Sequence, residues 1–442
     1  MHICIIGSGV IGATSAWFLT QAGHQVTLLD AREAPGMETS FANAGQLSYS
    51  YVAPLAEPSV IPNLPKWLLD KNSPLRFRPQ LDPAQWCWGL SFLQACQSAT
   101  VKRTTAEMLT LSYLSRDAMA SLLEQYASLE FHHERSGKLI AYRNAELLEK
   151  ARAQVSLQAE HGSKQQILSP AECLTMEPAL AGFGSKLAGA VYTPSEAVGD
   201  CHMFTQALIA ELQRQEDSPA DEAPTDAPPT GDSHTGTARR QAFTLHLNTK
   251  VAALERHQGR ITAARLADGA RIHADHFILA NALGSRALLR PLGETVPLYP
   301  LKGYSLSLPV SEDRDDIPRI SVTDYERRIV YARIGNTLRI AAMVDMGDFS
   351  TEPNPKRVAQ LKSQVNELFP QLDLDQAQVW AGLRPTTPDS KPRIGPSRSA
   401  SNLWLNVGHG ALGFTLACGS AVLLQHLIDG QNPPIAAGPF AP

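Results

Sequence analysis

The chain lacks the features that mark several whole classes of protein. Its six cysteines, Cys4, Cys87, Cys96, Cys173, Cys201 and Cys418, are scattered over 442 residues with no C-x-x-C pair. That argues against a disulfide framework and a structural zinc site, predicts no bound metal, and fits a reducing compartment. Positive charge is not in excess: 39 Lys and Arg against 43 Asp and Glu leave a net charge of −4. Nucleic acid is therefore not an expected partner. No uninterrupted apolar run reaches the ~18 residues needed to cross a bilayer. The apolar N-terminus has no basic lead-in of the secretory kind. A cytosolic protein of two or three domains is expected, with peripheral attachment to the cytoplasmic face of the inner membrane left open.

What is present begins almost at once. Residues 5–12 read IIGSGVIG, a G-x-G-x-x-G pattern on Gly7, Gly9 and Gly12. A short apolar strand over 2–6 precedes it. A helical pattern follows from Val10, with Ala13, Ala16, Trp17 and Phe18 inside and Gly23 as its stop; a second strand over 25–29 ends in Asp30. In this strand-turn-helix-strand context the glycines hold a pyrophosphate. Gly7 permits the tight turn, Gly9 lets the backbone approach the phosphates, and Gly12 lets helix and strand pack closely. Ser8, Val10 and Ile11 bring the N–H groups and positive dipole of the helix start to the anion. Asp30, followed by Ala31 and Arg32, is placed to meet the adenosine ribose, and its charge disfavours a 2′-phosphate.

Three features point to a flavin dinucleotide rather than a nicotinamide one. After Asp30 the chain runs into a polar, small-residue loop with Thr39, Ser40, Asn43, Ala44, Gly45 and Gln46. Such a loop can line an extended cofactor, and equally can be a surface excursion. Near the other end, NVGHGALGFTLACGS places Gly408, His409, Gly410, Leu412, Gly413 and Thr415 between a strand and a helix start. That dipole would stabilise the negative edge of a reduced flavin; a packing junction is the other reading. Finally, only the N-terminal G-x-G-x-x-G runs on through a helix into a strand ending in an acid; Gly408, Gly410 and Gly413 repeat its spacing without that continuation, so one dinucleotide site is expected and electrons pass from a small substrate to something other than a second dinucleotide.

The segment WAGLRPTTPDSKPRIG carries Arg384 between Gly382 and Pro385. A guanidinium pairs bidentately with a carboxylate. Beside a flavin it would anchor the acid end of an amino acid; a structural ion pair is the alternative.

GSGVIG, ETSFANAGQ, VPLYPLKGYSLSLP, AGLRPTTPD and NVGHGALGFTLACGS together resemble the D-amino acid dehydrogenase family. This is the quinone-linked bacterial branch of the D-amino acid oxidase and glycine oxidase superfamily. The resemblance implies an α/β architecture: a Rossmann-like FAD-binding domain and a discontinuous α+β substrate domain with a mixed, largely antiparallel sheet. The first would take 1–55, 196–290 and 385–432, and the second 56–195 and 291–384. It also implies oxidative deamination of a small D-amino acid such as D-alanine to a 2-oxo acid and ammonia, with hydride passing to flavin N5 and electrons on to a quinone or similar acceptor. An oxygen-using oxidase of the glycine oxidase type is the alternative. Arg384 carries over as the carboxylate anchor and Tyr304 as a pocket residue. His409 is expected to shape the flavin loop rather than act as a base. Val251 would lie near the adenine and Gly284 at a turn beside the cofactor.

Elsewhere, helices are expected over 100–126, 145–160 and 355–369, and strands over 298–308, 319–324, 328–333 and 337–344, with a strand pair in 131–142 and a hairpin from 251. Residues 217–237 hold no Val, Ile, Leu, Met or aromatic residue and read as a disordered insert. Trp67, Trp86 and Trp88 are interleaved with Lys66, Lys71, Arg76 and Arg78. That reads either as domain packing with a basic rim or as an interfacial patch meeting a membrane quinone.

Overall fold

The computed structural model describes residues 1–52, 54–62, 64, 73–160, 162–217 and 242–442. The 217–237 insert beyond Asp217, and Trp67, Lys66 and Lys71, lie outside the described residues. Two large sheets organise the remainder. The first grows around His2–Ile6, flanked in parallel by Gln25–Leu29 and His276–Leu279. Its order is Arg393–Pro396, Leu403–Val407, His276–Leu279, His2–Ile6, Gln25–Leu29, Phe243–His246, and only the outermost Arg393–Pro396 runs antiparallel.

A parallel sheet must be covered on both faces, and the alternation of the first strand shows how. Ile3 and Ile5 enter a core built with helices Val10–Gln21, Ser98–Gln125, Cys201–Asp217 and Gly413–Ile428. Cys4 and Ile6 enter a second core on the opposite face. That face is covered by an antiparallel meander, Val251–His257, Arg260–Leu266 and Arg271–Ile272. The stretch Gly410–Ile428 has the length and composition to cross a membrane, with a mean hydropathy of 1.6. Its apolarity is explained by packing, because Phe414, Leu416, Ala417, Cys418, Leu423 and Leu424 are all buried in the helical core.

The second sheet has the order Gln378–Thr386, Tyr299–Pro309, Thr337–Met346, Ile329–Ile334, Ser321–Asp324, Lys138–Tyr142, Gly189–Thr193, Gln166–Leu168. Leu75–Phe77 adds in parallel to Thr337–Met346, and Ser321–Asp324 meets Lys138–Tyr142 in parallel; the other pairings are antiparallel. Leu306, Leu308, Leu338 and Ile340 line one face and pack with Leu361 and Val365 of helix Pro355–Asn366. The chain supplies the first sheet from 2–29, 243–279 and 393–407, and the second from 75–77, 138–193 and 299–386.

The long helices and the four later strands fall close to their expected places. The expectation of a strand pair in 131–142 is corrected: only Lys138–Tyr142 is a strand, and Glu134 makes an isolated bridge to Val198. Positive φ at His132 (54°) and Gly137 (74°) breaks the extended path between them. The tryptophan-rich stretch also resolves differently, into a helix Pro83–Ala95 capped by Asp82. Trp88 turns inward, 5% exposed, and its indole N–H donates to Thr386 O, while Trp86 stays outside.

The core of the second sheet holds a buried ion pair. Arg357 Nη2 lies 2.8 Å from Asp345 Oδ1, and both side chains are almost wholly buried. Tyr304 donates to the other oxygen, Oδ2, at 2.8 Å. Arg357→Leu leaves Asp345 as an uncompensated buried charge, with an expected cost of about 3–5 kcal/mol. An unfolding free energy from chemical denaturation lowered by less than about 1 kcal/mol would contradict the prediction.

Candidate active site

The glycine loop is shaped by close approach. Gly7 has φ +108° and donates its N–H to Leu29 O at 2.8 Å. A Cβ at Gly12 would stand 1.7 Å from Gly7 O, so helix and loop touch without room for a side chain. A Cβ at Gly9 would meet only Ser40 Oγ, at 3.4 Å, which leaves that backbone open to a ligand. Ser40 Oγ accepts from Val10 N at 3.1 Å, while Ile11, partly buried, packs against the helical core. Asp30 first serves the loop: Oδ2 accepts from Ser8 N (2.6 Å) and Ser8 Oγ (2.7 Å), and Oδ1 accepts from Arg32 N (2.8 Å). Each carboxylate oxygen accepts about two hydrogen bonds, so Oδ1 keeps one for a ribose hydroxyl.

Ala31 and Arg32 border an open cleft of about 450 Å³, with Met37, Glu38, Asn248 and Trp380 on its other sides. Asn248 N donates to Arg32 O and Thr249 N to Asp30 O, which brings the start of the meander, just before half-buried Val251, beside the acidic strand end. Gly284 is exposed in a short turn, Ala282–Gly284. The contact with the glycine loop falls instead at Asn281, whose backbone lies 2.8 Å from a Cβ at Gly7. Sequence reasoning missed Asn281; the signal was the polar residue that ends the buried strand His276–Leu279.

The loop 39–46 takes many of its hydrogen bonds from the second sheet. Thr39 Oγ1 donates to Leu383 O (2.9 Å), Ser305 Oγ to Ala42 O (2.7 Å), and Arg339 Nη1 to Asn43 O (2.9 Å). Gln46 Nε2 donates to Ser321 Oγ at 2.6 Å. Inside the loop, Asn43 Oδ1 accepts from Gly45 N at 2.9 Å, and partly buried Ala44 lies between them. The Gln46 amide also accepts from Lys138 Nζ at 3.1 Å. Its side chain is thus already engaged, and it faces a cofactor only through its backbone.

The second glycine turn follows Leu403–Val407. Gly408 has φ +87° and Gly410 φ +55°; Leu412 then caps the helix from Gly413 without a side-chain hydrogen bond. Thr14 Oγ1 donates to Ala417 O at 3.2 Å. Both helices therefore run side by side from parallel strands, and their N-termini open at the same end of the sheet. Thr415 Oγ1 accepts from Ser48 N (3.1 Å) and donates to Gln46 O (3.3 Å). The His409 imidazole turns back into the protein, with Nε2 2.9 Å from Ser420 Oγ. Burial pushes its pKa down to about 3, so the ring is neutral at working pH.

Arg384 sits in the strand Gln378–Thr386, opposite Leu301. Pro385 is tolerated because this strand is the sheet edge. The guanidinium lies over Gly303, where a Cβ would stand 2.2 Å from Nη2. Nη1 donates to Met343 O at 3.1 Å, a carbonyl turned toward it by the positive φ (67°) of Met343. Among the described residues no carboxylate pairs with Arg384. Burial lowers its pKa to about 10, so it remains charged at neutral pH. Gly303, Ser305, Trp380 and Gly382 share its face by strand alternation, and Ser305 bonds the 39–46 loop. Arg384 therefore looks toward the cofactor loop.

Tyr304 does not. It occupies the opposite face, 1% exposed, within the apolar core and bonded to Asp345. The expectation of a pocket tyrosine is corrected: adjacent strand residues point to opposite faces, and Gly303 already fixes which face is the pocket.

Two uncapped helix starts, an open Gly9, an acidic strand end and a loop lined with donors fit a dinucleotide carrying a flavin. This is an FAD-binding oxidoreductase by fold and by site. The chain belongs to the DAO family, described as FAD dependent oxidoreductase, which it matches over residues 2–216 and 233–427. It is 44% identical to D-amino acid dehydrogenase 2 of Ralstonia nicotianae over 449 aligned positions, covering 100% of this chain and 99% of that protein. It is 43% identical to D-amino acid dehydrogenase 2 of Pseudomonas aeruginosa, covering 98% and 96%. The fold is similar to that of glycine oxidase from Geobacillus kaustophilus, with a TM-score of 0.73 at 19% identity over 99% of this chain and 97% of that one. It is also similar to L-amino acid deaminase from Proteus vulgaris, with a TM-score of 0.71 at 14% identity over 100% and 96%.

A prediction follows for His409. Its pKa is lowered in the fold, so the unfolded chain takes up the proton first. The stability it confers is complete above its ordinary value of 6.5 and is lost as pH falls toward 3. His409→Asn removes that loss, so the wild type should lose on the order of a few kcal/mol more than the variant over this range. Parallel stability curves for the two proteins between pH 7 and 4 would contradict it.

Proposed function

We propose that the protein oxidises D-amino acids to 2-oxo acids and ammonia, with Arg384 binding the substrate carboxylate. The observation that carries this reading is a buried guanidinium with no acidic partner, aimed at the loop that lines the cofactor. An unpaired buried charge is unfavourable, and a small carboxylate supplies the missing partner. The full-length similarity to proteins named D-amino acid dehydrogenase supports the substrate class and its handedness.

FAD, when bound, supplies the two-electron acceptor for the hydride leaving the substrate α-carbon. Gly7, Ser8, Gly9, Val10, Ile11 and Gly12 would hold its pyrophosphate and Asp30 its ribose. The backbones of 43–46 and 408–413 would meet the ring. Arg384 then fixes one end of the substrate, so that catalysis is chiefly positioning. His409, neutral and engaged with Ser420, takes no proton at the α-carbon; the substrate ammonium is deprotonated before hydride leaves. The two sheets support a division into an FAD-binding part, 1–55, 196–290 and 385–432, and a substrate part, 56–195 and 291–384.

Arg384→Ala removes one partner of the charge pair at an expected cost of about 2–5 kcal/mol in transition-state binding, at least thirtyfold in kcat/KM. The fold should be unharmed, because the arginine has no acidic partner among the described residues. D-alanine turnover at wild-type efficiency in a variant that still holds FAD would refute the assignment.

We also propose a quinone-type acceptor reached by peripheral contact with a membrane. Trp86, Leu90 and Leu93 recur on one face of helix Pro83–Ala95 at 52%, 65% and 39% exposure, beside fully exposed Leu81. Such an apolar face suits insertion at a lipid surface. Replacing Trp86 and Leu90 by Asp should reduce co-sedimentation with lipid vesicles at least tenfold and leave turnover with a water-soluble dye unchanged. Equal sedimentation of variant and wild type would remove this surface from consideration. Fast reoxidation of the substrate-reduced protein by oxygen would favour an oxidase instead.

A further inference from the structure

Lys138 opens a strand near the middle of the second sheet and is 4% exposed. A buried ammonium is usually matched by a contacting carboxylate; among the described residues none pairs with this one. Its Nζ donates to Gln46 Oε1 at 3.1 Å and Ser48 Oγ at 2.9 Å, and lies 4.6 Å from the Tyr51 ring centroid. The acidic group whose charge it feels is Glu196, 1% exposed. Glu196 Oε1 accepts from Ser50 N at 2.8 Å, and Oε2 has no partner. Lys138 and Glu196 thus bond the same segment, 46–50, at three successive alternate residues.

Burial lowers the Lys138 pKa to about 8, against the pull of Glu196. Burial likewise raises Glu196 to about 7, against the pull of Lys138. Of the two buried groups, only the lysine side chain bonds the side chains of Gln46 and Ser48. The segment it holds is the one that meets Thr415 in the first turn of helix Gly413–Ile428, through Ser48 N and Gln46 O. The ammonium and the first turn of that helix thus hold the same short segment, Lys138 through the side chains of Gln46 and Ser48 and Thr415 through their backbones, and both bring positive charge to it.

We propose that Lys138 is a positioning residue of the flavin site, whose ammonium holds the 46–48 segment against the helix start and raises the reduction potential of the bound flavin. This rests on the reading of that helix start as flavin-binding. A positive charge there favours the reduced, negatively charged ring over the oxidised one. Lys138 acts through Gln46 and Ser48, the side chains its ammonium bonds.

The test is the midpoint potential of the FAD-loaded protein, measured at pH 7 by anaerobic equilibration with redox dyes. Lys138→Gln keeps an amide able to bond Gln46 and Ser48 and removes the charge; Lys138→Arg keeps the charge. The Gln variant should retain FAD with a potential at least about 30 mV more negative, a tenfold change in a two-electron equilibrium. The Arg variant should stay with the wild type. A Gln variant at wild-type potential overturns the proposal, as does an Arg variant shifted as far as the Gln one, which would indicate packing rather than charge. If the Gln variant fails to fold, Lys138→Met gives the same reading with an apolar chain of similar shape. A wild-type protein that takes up no FAD is a separate outcome and overturns the flavin reading itself.

Discussion

The loop 39–46 cannot hold its own shape. Its only large apolar side chain is Phe41, itself partly exposed, and within it only two loop-internal hydrogen bonds, Phe41 N to Glu38 O and Gly45 N to Asn43 Oδ1, bend the chain. The other bonds are to residues outside it, and five strands of the second sheet share them along its length from Thr39 to Gln46. Because those strands include the one carrying Arg384, the distance between carboxylate anchor and cofactor loop is fixed by sheet geometry, not by a flexible linker. A two-sheet protein in which neither sheet alone completes the site follows from that constraint. It also explains why the chain passes back and forth between the sheets, since each crossing delivers one wall.

The buried charges solve their desolvation in three different ways, and the differences separate structure from function. Arg357 is paired with Asp345 and lies in the apolar core, where a pair of this kind specifies packing. Arg339 divides its guanidinium between Asn43 O and Asp200 Oδ2, at 2.9 and 3.2 Å. Asp200 in turn caps helix Cys201–Asp217 through His202 N and Met203 N, so this arginine joins sheet, loop and helix. Arg384 bonds the carbonyl of Met343 and, among the described residues, pairs with no acid. Among these three arginines it alone can form a charge pair with an incoming carboxylate without first breaking one inside the protein.

Much of this was legible in the residues because local chemistry and final role coincide. Gly7, Gly9 and Gly12 are needed by the turn itself, and the strand-helix-strand pattern around them is set by apolar periodicity within thirty residues. Long amphipathic helices such as Ser98–Gln125 were legible for the same reason. What was not legible depends on partners distant in sequence. Nothing in FHHERSGKLI says that only its last residues pair with a sheet, because that is decided by Ser321–Asp324 and Gly189–Thr193, which lie far along the chain. Trp86 and Trp88 look alike in sequence; the alternation that sends one to solvent and the other onto Tyr299 is a property of the helix and what it packs on.

Tyr304 and Arg384 show the limit most clearly. A motif match ranks KGYSL and GLRPT alike, and both residues lie on adjacent strands of one sheet. Strand parity decides between them. Gly303 must be glycine because the Arg384 guanidinium crosses the place its Cβ would take, which assigns residue 303 to the pocket face and residue 304 to the core. The tyrosine is held in that core by Asp345 and the arginine in the pocket by the absence of any such acid. The glycine between a lysine and a tyrosine therefore carries more information about the site than the tyrosine does.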